Sequence, residues 1–193
     1  MEYRHEIRLC GFGGQGIMLA GYIIGQAAAI FEHKHTTHIR DYGPEARGGS
    51  CRADVVISDE PVLYPYINAP LVLVSMSQQA YDKYRPRSRK DSLIIIDEEL
   101  IKHREKRKDR LMSIPARRIA EELGRAAVAN VVMLGFFTAV TDFVSIEAMK
   151  KSVLASVPQG TEELNLEALE RGYTYGLEIL KAKSVKGKEA INP

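Results

Sequence analysis

The stretch Cys10-Gly-Phe-Gly-Gly-Gln-Gly-Ile17 determines how the rest of this chain is organised. Residues 5–9 before it form a short apolar run typical of a buried strand, and residues 17–31 after it carry no charge, as in a buried helix. Its glycines have the G-x-G-x-x-G spacing, in which bare backbone lets a ligand or a neighbouring chain approach a helix N-terminus. Such a terminus carries unpaired N–H groups and about half a positive charge, which favours an anion. The candidate binding residues of this loop are Gly11, Gly13, Gly14, Gln15 and Gly16.

Two other interpretations of this loop stay open. Glycines at a strand-to-helix junction also allow a helix to pack closely on its sheet, with no ligand involved. A nicotinamide site requires an acidic residue about 20 positions later, at the end of the second strand. Asp41 lies near that distance, but it opens a second glycine-rich loop rather than a strand end that leads into a helix. The dinucleotide interpretation is therefore less favoured but stays open.

The second glycine-rich loop runs from Asp41 to Ser50, and Arg47 is its only cation. An arginine before two glycines can form a fork for phosphate or carboxylate, while backbone N–H groups add a nest for the same anion. The alternative is a surface turn in which Arg47 pairs with Glu45. The candidate binding residues of this second loop are Tyr42, Gly43, Arg47, Gly48 and Gly49.

The order of apolar runs and amphipathic segments predicts the fold class. The predicted strands are His5–Leu9, His35–Arg40, Arg52–Ser58, Leu71–Ser75, Leu93–Ile96 and Leu111–Ile114, with a short hairpin arm at Val62–Tyr64. The predicted helices are Ile17–Phe31, a segment that ends near Tyr84, Pro115–Leu123, Asn130–Asp142, Ser145–Val157 and Thr161–Lys181. This alternation indicates α/β architecture: one three-layer α/β/α, Rossmann-like domain over residues 1–182, followed by a mobile tail over 183–193. The sheet is expected to be mostly parallel, mixed only through the Val62 arm.

Two polar residues at the ends of apolar elements are further candidate binding residues. Ser75 ends a strand, where side chains can line the crevice beyond strand C-termini, although Ser75 or Ser77 can equally cap the helix that follows. Asn130 opens an apolar helix and is a natural N-cap as well as a candidate ligand donor.

Composition narrows the class of protein. With 193 residues, 45% hydrophobic and 27% charged, and a net charge of +2, the chain fits one ordinary globular domain and does not require nucleic acid or an acidic membrane as partner. The basic clusters at 83–90 and 102–110 are broken up by acidic residues. The uncharged stretch at 9–31 is interrupted by the glycine loop, so no transmembrane span is expected. The charged first residues are unlike a signal peptide, and the predicted location is the cytoplasm.

The metal-binding and nucleophilic residue types predict neither a metal centre nor independent catalysis. Cys10 and Cys51 are the only cysteines, so the chain cannot by itself hold a four-cysteine zinc or iron–sulfur site, and both are expected to be reduced and buried. The histidines at 33, 35 and 38 would point to different faces of a strand, which favours structural roles. No nucleophile elbow, P-loop lysine or His-Glu-x-x-His helix is present, and no catalytic residue is predicted.

Four motifs in this order resemble one protein family. They are Gly11-Phe-Gly-Gly-Gln-Gly16, Tyr42-Gly-Pro-Glu-Ala-Arg-Gly-Gly49, Val55-Val-Ile-Ser-Asp-Glu-Pro61 and Asn130-Val-Val-Met-Leu-Gly135. Together they look like the gamma subunit of 2-oxoacid:ferredoxin oxidoreductases, the family of the pyruvate, 2-oxoglutarate, branched-chain and indolepyruvate enzymes. The resemblance covers nearly all of residues 5–180 and is strongest to the separate gamma chain of a four-subunit 2-oxoglutarate enzyme. Asp41 departs from the family, which often has a neutral residue there.

The resemblance implies a reaction that this chain does not perform alone. The family's complex decarboxylates a 2-oxoacid on thiamine diphosphate, passes electrons through iron–sulfur clusters to ferredoxin and hands the acyl group to coenzyme A. It places thiamine diphosphate and Mg on the alpha and beta subunits and the clusters on beta or delta. The gamma chain would pack on these partners, with ferredoxin only an indirect partner. Its glycine loops would meet either the phosphates of coenzyme A or an acidic group of a partner.

The isolated chain is expected to be inactive and to self-associate. The features that suggest self-association are the apolar run Val131–Phe137 and the two exposed loops.

Overall fold

A computed structural model of the chain describes residues 4–43, 49–103 and 110–189, with side chains up to residue 184. Within these residues six strands form one sheet in the order β2-β3-β1-β4-β5-β6. The strands are β1 (Arg4–Phe12), β2 (His35–Asp41), β3 (Ser50–Ser58), β4 (Val72–Ser75), β5 (Leu93–Asp97) and β6 (Arg110–Ile114). Every strand predicted from a long apolar or alternating run is present.

Helices cover both faces of this sheet, so the predicted three-layer α/β/α architecture is confirmed. They are α1 (Ile17–Gln26), α2 (Gln78–Tyr84), α3 (Ala116–Glu122), α4 (Ala129–Thr141), α5 (Ile146–Ser156) and α6 (Glu162–Glu189). A π-helical turn, Ala27–Phe31, continues α1. The larger apolar core lies between one face of the sheet and helices α1, α3, α4, α5 and α6. A smaller core lies between the other face and α2. Helix α6 runs to Glu189, beyond its predicted end at Lys181.

The sheet is mixed, but not for the predicted reason. Strands β1, β4, β5 and β6 are parallel, whereas β3 is antiparallel to both of its neighbours, β1 and β2. The predicted arm at Val62–Tyr64 is wrong, because these residues form no strand. Pro61 and Pro65, on either side of this arm, lack the N–H group that a strand ladder requires. The second glycine-rich loop therefore connects the antiparallel neighbours β2 and β3.

Helices α4 and α6 approach each other closely through glycines. A Cβ atom built on Gly135 would lie 2.0 Å from the Leu169 carbonyl oxygen, and one on Gly172 would lie 1.9 Å from that of Val132. The apolar run Val131–Phe137 is consequently buried along this contact. The expectation that this run offers a self-association surface is wrong, because α6 covers it.

The face of the sheet under α2 holds a buried ion pair. Arg8 on β1 lies opposite Asp54 on β3. Its Nε and Nη2 atoms donate to the two Asp54 carboxylate oxygens, each at 2.7 Å, and Nη2 also donates to the Ile67 carbonyl at 2.7 Å. Both side chains are almost fully buried, and the guanidinium lies 5.6 Å from the centre of the Tyr84 ring. A charge inside a sheet is tolerated when it is paired and hydrogen-bonded in this way.

In the described part of the chain, no helix combines the length and the apolar character needed to cross a bilayer.

The two cysteines are free and buried, as the sequence predicts. The Cys10 sulfur lies 2.8 Å from the Ser75 hydroxyl oxygen, and burial raises the pKa of this thiol to about 12. Burial also raises the pKa of Cys51.

Neither cysteine of the native chain is expected to react with iodoacetamide at pH 8. The thiolate is the reactive form, and burial raises the pKa of both thiols and also keeps the reagent away from them. Intact-mass spectrometry after timed labelling measures this, with the urea-unfolded chain, in which both cysteines react, as control. Rapid labelling of native Cys10 would contradict the expected burial.

Candidate functional site

The carboxyl ends of β1, β4, β5 and β6 meet at one edge of the sheet, where a cleft of about 490 Å³ opens. The loop from β1 to α1, the segment after β4 and the turn before α4 form its walls. The lining combines apolar residues with the polar residues Gln15, Ser77, Gln78 and Arg117. Open α/β sheets bind ligands outside the carboxyl ends of their strands, so this cleft is the candidate site.

The glycines of the first loop have different structural reasons to be glycine. Gly14 and Gly16 have φ angles of 97° and 71°, which side chains rarely tolerate. Gly11 lies in β1, where a Cβ atom would be 2.5 Å from the Gln15 Oε1 atom. Gly13 is exposed, has no positive φ, and no described atom lies within 4 Å of the position that a Cβ atom would take there. The described packing therefore explains Gly11, Gly14 and Gly16 but not Gly13.

Gln15 fixes the shape of this loop. Its Oε1 atom accepts a hydrogen bond from the Phe12 backbone N–H at 2.7 Å, and its Nε2 atom donates to the Met76 carbonyl at 2.7 Å. The side chain thus ties the loop to the segment after β4 across the cleft. A loop held in this way keeps its backbone N–H groups in place before anything binds.

Asn130 lies behind the loop and is not the N-cap of α4. The helix begins at Ala129 after a 3₁₀ turn, Ala126–Val128, so the N-cap position belongs to Val128 and that part of the prediction is wrong. The Asn130 Nδ2 atom donates to the Gly16 carbonyl at 3.3 Å, and a Cβ atom on Gly16 would lie 2.3 Å from it. Asn130 therefore supports the start of α1 from inside the core.

Ser75 is also inside the core, where its hydroxyl contacts Cys10, and its side chain does not reach the cleft. The neighbouring Ser77 lines the cleft and caps α2 by accepting a hydrogen bond from the Ala80 N–H. Ser77 therefore has both of the roles predicted for this segment: it lines the crevice and it caps the helix. The structure brings Gly14 and Gln15 of the predicted binding residues to the cleft wall.

The described ends of the second loop adjoin the first. Phe12 at the end of β1 pairs with Ser50 at the start of β3. Gly13 follows Phe12 and Gly49 precedes Ser50, so both glycines lie at the same edge of the sheet. Tyr42 is exposed, and Gly43 has a φ of 70°. Arg47 and Gly48 lie outside the described residues.

Asp41 is engaged by its own chain. Its carboxylate accepts a hydrogen bond from the Gly43 N–H at 2.9 Å and lies 3.2 Å from the Arg52 Nε atom. Strand β3 separates it from β1, so Asp41 is two strands away from the first glycine loop. An acidic residue that holds a ribose beside that loop would need to be on the adjacent strand. This geometry does not favour a nicotinamide site.

The sequence does not predict the wall of the cleft that lies opposite the first glycine loop. Asp97, at the end of β5, is buried and accepts hydrogen bonds from the backbone N–H groups of Arg117 and Glu99 at 2.9 and 3.0 Å. Burial raises the pKa of Asp97 above its ordinary value. This carboxylate fixes the first turn of α3, which brings the Arg117 side chain to the cleft. The alanines at 126, 127 and 129 complete this wall, and their sequence carries no binding signal.

Among the side chains that the structure describes, no three of the types His, Cys, Asp and Glu group together as a metal ion would require.

The fold and the cleft define an α/β protein with a candidate binding site at the carboxyl edge of its sheet. Comparison with known proteins is more specific. The model of the pyruvate ferredoxin/flavodoxin oxidoreductase family matches residues 6–175, and the chain belongs to that family. The resemblance deduced from the four motifs is thereby confirmed.

Two relatives differ in how much of their length the chain covers. The chain is 48% identical over 183 residues to the 2-oxoglutarate synthase subunit KorC of Methanocaldococcus jannaschii, covering 93% of this chain and 97% of the relative. It is 32% identical over 186 residues to the ketoisovalerate oxidoreductase subunit VorA of Methanothermobacter marburgensis, covering 94% of this chain but 39% of the relative.

Two solved structures have the same fold. The gamma subunit of a keto/oxoacid ferredoxin oxidoreductase from Geobacter sulfurreducens matches with a TM-score of 0.81 at 35% identity, over 90% of this chain and 99% of that one. A 2-oxoglutarate:ferredoxin oxidoreductase from Magnetococcus marinus, with 2-oxoglutarate, coenzyme A and succinyl-CoA bound, matches with a TM-score of 0.81 at 19% identity, over 91% of this chain and 31% of that one. The second likeness is one of fold alone.

Proposed function

We propose that this chain is the separate gamma subunit of a 2-oxoglutarate:ferredoxin oxidoreductase. The observation that carries the proposal is the 48% identity to a 2-oxoglutarate synthase subunit, against 32% to the ketoisovalerate relative, and the nearly complete coverage of both chains supports a separate subunit. In this proposal alpha, beta and delta subunits supply thiamine diphosphate, Mg and the iron–sulfur clusters, and ferredoxin accepts the electrons. The gamma chain supplies a binding surface rather than a catalytic residue.

The ligand of that surface is coenzyme A, whose phosphates suit the first glycine loop. Three features support this assignment. No side chain of the described residues caps the N-terminus of α1, which leaves its N–H groups to an anion in this proposal. Gln15 holds the loop in a fixed shape, and exposed Gly13 allows an approach to the backbone that a side chain would block.

Other groups could complete the surface. Arg117 lies on the wall opposite the loop, where its Nε atom donates to the Glu121 carboxylate at 2.8 Å, so it would have to leave Glu121 to meet a phosphate. Arg47 and Gly48, outside the described residues, stay predicted anion ligands on the strength of their sequence. The competing function is a scaffold whose glycine loops contact only a partner chain.

Gly13→Leu distinguishes these two functions. In the assembled complex we expect it to raise the KM for coenzyme A about tenfold or more while the KM for 2-oxoglutarate and subunit assembly stay unchanged, because the added side chain covers the loop backbone. The measurement is steady-state acyl-CoA formation with each substrate varied in turn. Ala155→Leu is the matched control, since it adds the same exposed side chain on α5, away from the cleft.

Each other outcome argues against a part of the proposal. Loss of assembly with an unchanged KM for coenzyme A in the remaining complex would identify the loop as a protein contact. An unchanged KM with full assembly would remove the loop from the site altogether. A wild-type complex that turns over other 2-oxoacids but not 2-oxoglutarate would contradict the proposed substrate.

A further inference from the structure

Strand β2 forms one edge of the sheet, and within the described residues no strand lies beyond it. All 7 of its residues, His35–Asp41, pair with β3 in one continuous register without a bulge. The N–H and C=O groups on its other side therefore meet no described strand of the same chain. Such a row of backbone groups is a template on which another β-strand can be added.

The two edges of the sheet differ in how they are protected. At the far edge α6 packs beside β6, and the Lys183 Nζ atom donates to the Leu111 carbonyl at 3.3 Å. Folded proteins usually protect an edge strand with proline, lysine, a bulge or a covering element. Strand β2 reads His35-Thr-Thr-His-Ile-Arg-Asp41, without proline, glycine or lysine, and its residues are half-buried or exposed along its whole length. It is therefore regular enough to accept a second strand.

An apolar groove of about 290 Å³ lies beside β2 on the α1 side. Thr36 and His38 of the strand line it together with Tyr22 and Ile30, which are 49% and 60% exposed. The Nε2 atom of His38 is buried and has no hydrogen-bond partner among the described residues. An edge strand beside exposed apolar side chains offers backbone hydrogen bonds and apolar contact area to the same partner.

We propose that β2 pairs with β2 of a second copy of this chain, antiparallel and around a two-fold axis at His38, so that the two sheets become one. The inference does not depend on the proposed function. A two-fold contact brings the same surface of both copies together, so the strand must complement itself. With the axis at His38, the central residue of β2, every residue of the strand lies opposite a residue of the other copy. An axis at any other residue leaves one end of the strand unpaired.

The side chains of β2 complement themselves in this register. His35 lies opposite Asp41, so an imidazole N–H donor faces a carboxylate that is 43% exposed. Asp41 keeps its contacts within its own chain, because a carboxylate has about four acceptor positions. Thr37 lies opposite Ile39, and β-branched side chains of this kind suit a pleated sheet. Each of these pairs occurs twice because of the symmetry.

The groove supports the same axis. His38 lies both in the groove and on the axis, so the grooves of the two copies meet there and Tyr22 and Ile30 of both copies converge on one apolar patch. On this side of the sheet Thr36 lies opposite Arg40, and no two cations face each other. The net charge of +2 per chain opposes association only weakly. Pairing at this edge also leaves the cleft open, because the cleft lies beyond the ends of other strands.

Sedimentation equilibrium of the full-length chain tests the pairing. We expect a wild-type dimer, and we expect Thr37→Lys with Ile39→Lys to raise its dissociation constant at least tenfold, because each new lysine would face a lysine of the other copy. The matched control is Leu63→Lys with Leu154→Lys, which adds the same charge at side chains that are 94% and 42% exposed outside β2. Circular dichroism checks that both double variants are folded.

Disulfide trapping tests the register. His38→Cys should give a covalent dimer under mild oxidation, because opposed residues of antiparallel strands have Cα atoms about 4.5–5.5 Å apart, within the range of a disulfide. Thr36→Cys is the matched control on the same face of the same strand. Its two copies would be separated by four residues along the strand, roughly 13 Å, which is too far for a disulfide. Non-reducing electrophoresis measures both, and the native cysteines are buried.

Four results would overturn the inference. The first is a wild-type chain that is monomeric in sedimentation. The second is an equal weakening by the two lysine double variants, which would show that association responds to added charge alone. The third is a covalent dimer that forms from Thr36→Cys as readily as from His38→Cys, or from neither, which would exclude an axis at His38. The fourth is a chain that is monomeric alone but whose β2 amides exchange more slowly in the assembled complex, which would give the edge to a strand of another subunit. All four would leave the proposed function intact.

Discussion

Gly172→Ala is expected to lower the free energy of unfolding by about 3 kcal/mol, a large share of the total stability of a domain of this size. The added methyl group would lie 1.9 Å from the Val132 carbonyl oxygen and 3.1 Å from the Phe136 backbone nitrogen. These are backbone atoms of α4, so no side-chain rotation relieves the contact. The two helices must separate, which removes dispersion contacts along their length. Urea unfolding followed by circular dichroism measures the change.

Gly25→Ala is the matched control for this prediction. Gly25 is also a buried helical glycine, but the atoms nearest to the position of an added Cβ are Val55 Cγ1 at 3.9 Å and Thr36 Oγ1 at 4.0 Å. This variant should be neutral or more stable by about 0.5–1 kcal/mol, because alanine is the better helix former. Equal destabilisation by the two variants would contradict the view that α4 and α6 need backbone contact.

The position of α4 also matters for the candidate site. Ala129 lies on the cleft wall, and Asn130 supports the carbonyl of Gly16 at the start of α1. A shift of α4 away from α6 would therefore change the distance between the two walls of the cleft. Gly176→Ala is a milder packing variant of the same helix pair, because its Cβ would lie 2.6 Å from a side-chain atom, the Ala139 Cβ. It is expected to affect both the stability of the chain and the width of the cleft.

The sequence predicts the elements of this protein better than their neighbours in space. Buried strands such as Leu93–Asp97 are recognisable because a parallel sheet covered on both faces requires continuous apolar runs. Strand order and direction depend on contacts far apart in sequence. No local sequence feature shows that β3 inserts between β1 and β2 and runs antiparallel to both. The sequence pattern instead predicts that the proline-flanked Val62 arm supplies the antiparallel strand.

The candidate site is predicted from the sequence on one side only. The first glycine loop has a local signature, because tight turns and close approach require glycine at particular positions. The opposite wall is built from Arg117 and from alanines at 126, 127 and 129, whose contribution depends on where β6 and α4 lie in the fold. Ser75 and Ser77 differ by two positions, and only the geometry shows that the first is in the core and the second at the cleft.

The ion pair of Arg8 and Asp54 gives the second large expected effect. Asp54→Ala should lower the free energy of unfolding by about 4 kcal/mol, because it leaves a guanidinium in the core without the carboxylate that accepts two of its hydrogen bonds. The exposed pair of Lys150 and Glu170 is the matched control, and Glu170→Ala should change stability by less than about 1 kcal/mol. Urea unfolding of the isolated chains measures both changes.

The same ion pair ties the core to the connection from β3 to β4. The Nη2 atom of Arg8 that binds Asp54 also binds the Ile67 carbonyl, so Asp54→Ala should loosen the connection from β3 to β4 as well as the sheet. A larger increase in amide hydrogen exchange over the wild type in residues 59–71 than in β5 would report that local effect. The double variant Arg8→Met with Asp54→Leu removes both charges and should recover much of the stability, because an apolar pair of similar volume requires no desolvation of ions. It cannot bind the Ile67 carbonyl, however, so exchange in the connection should stay fast. Recovery of both stability and slow exchange would mean that Arg8 does not hold this connection in place.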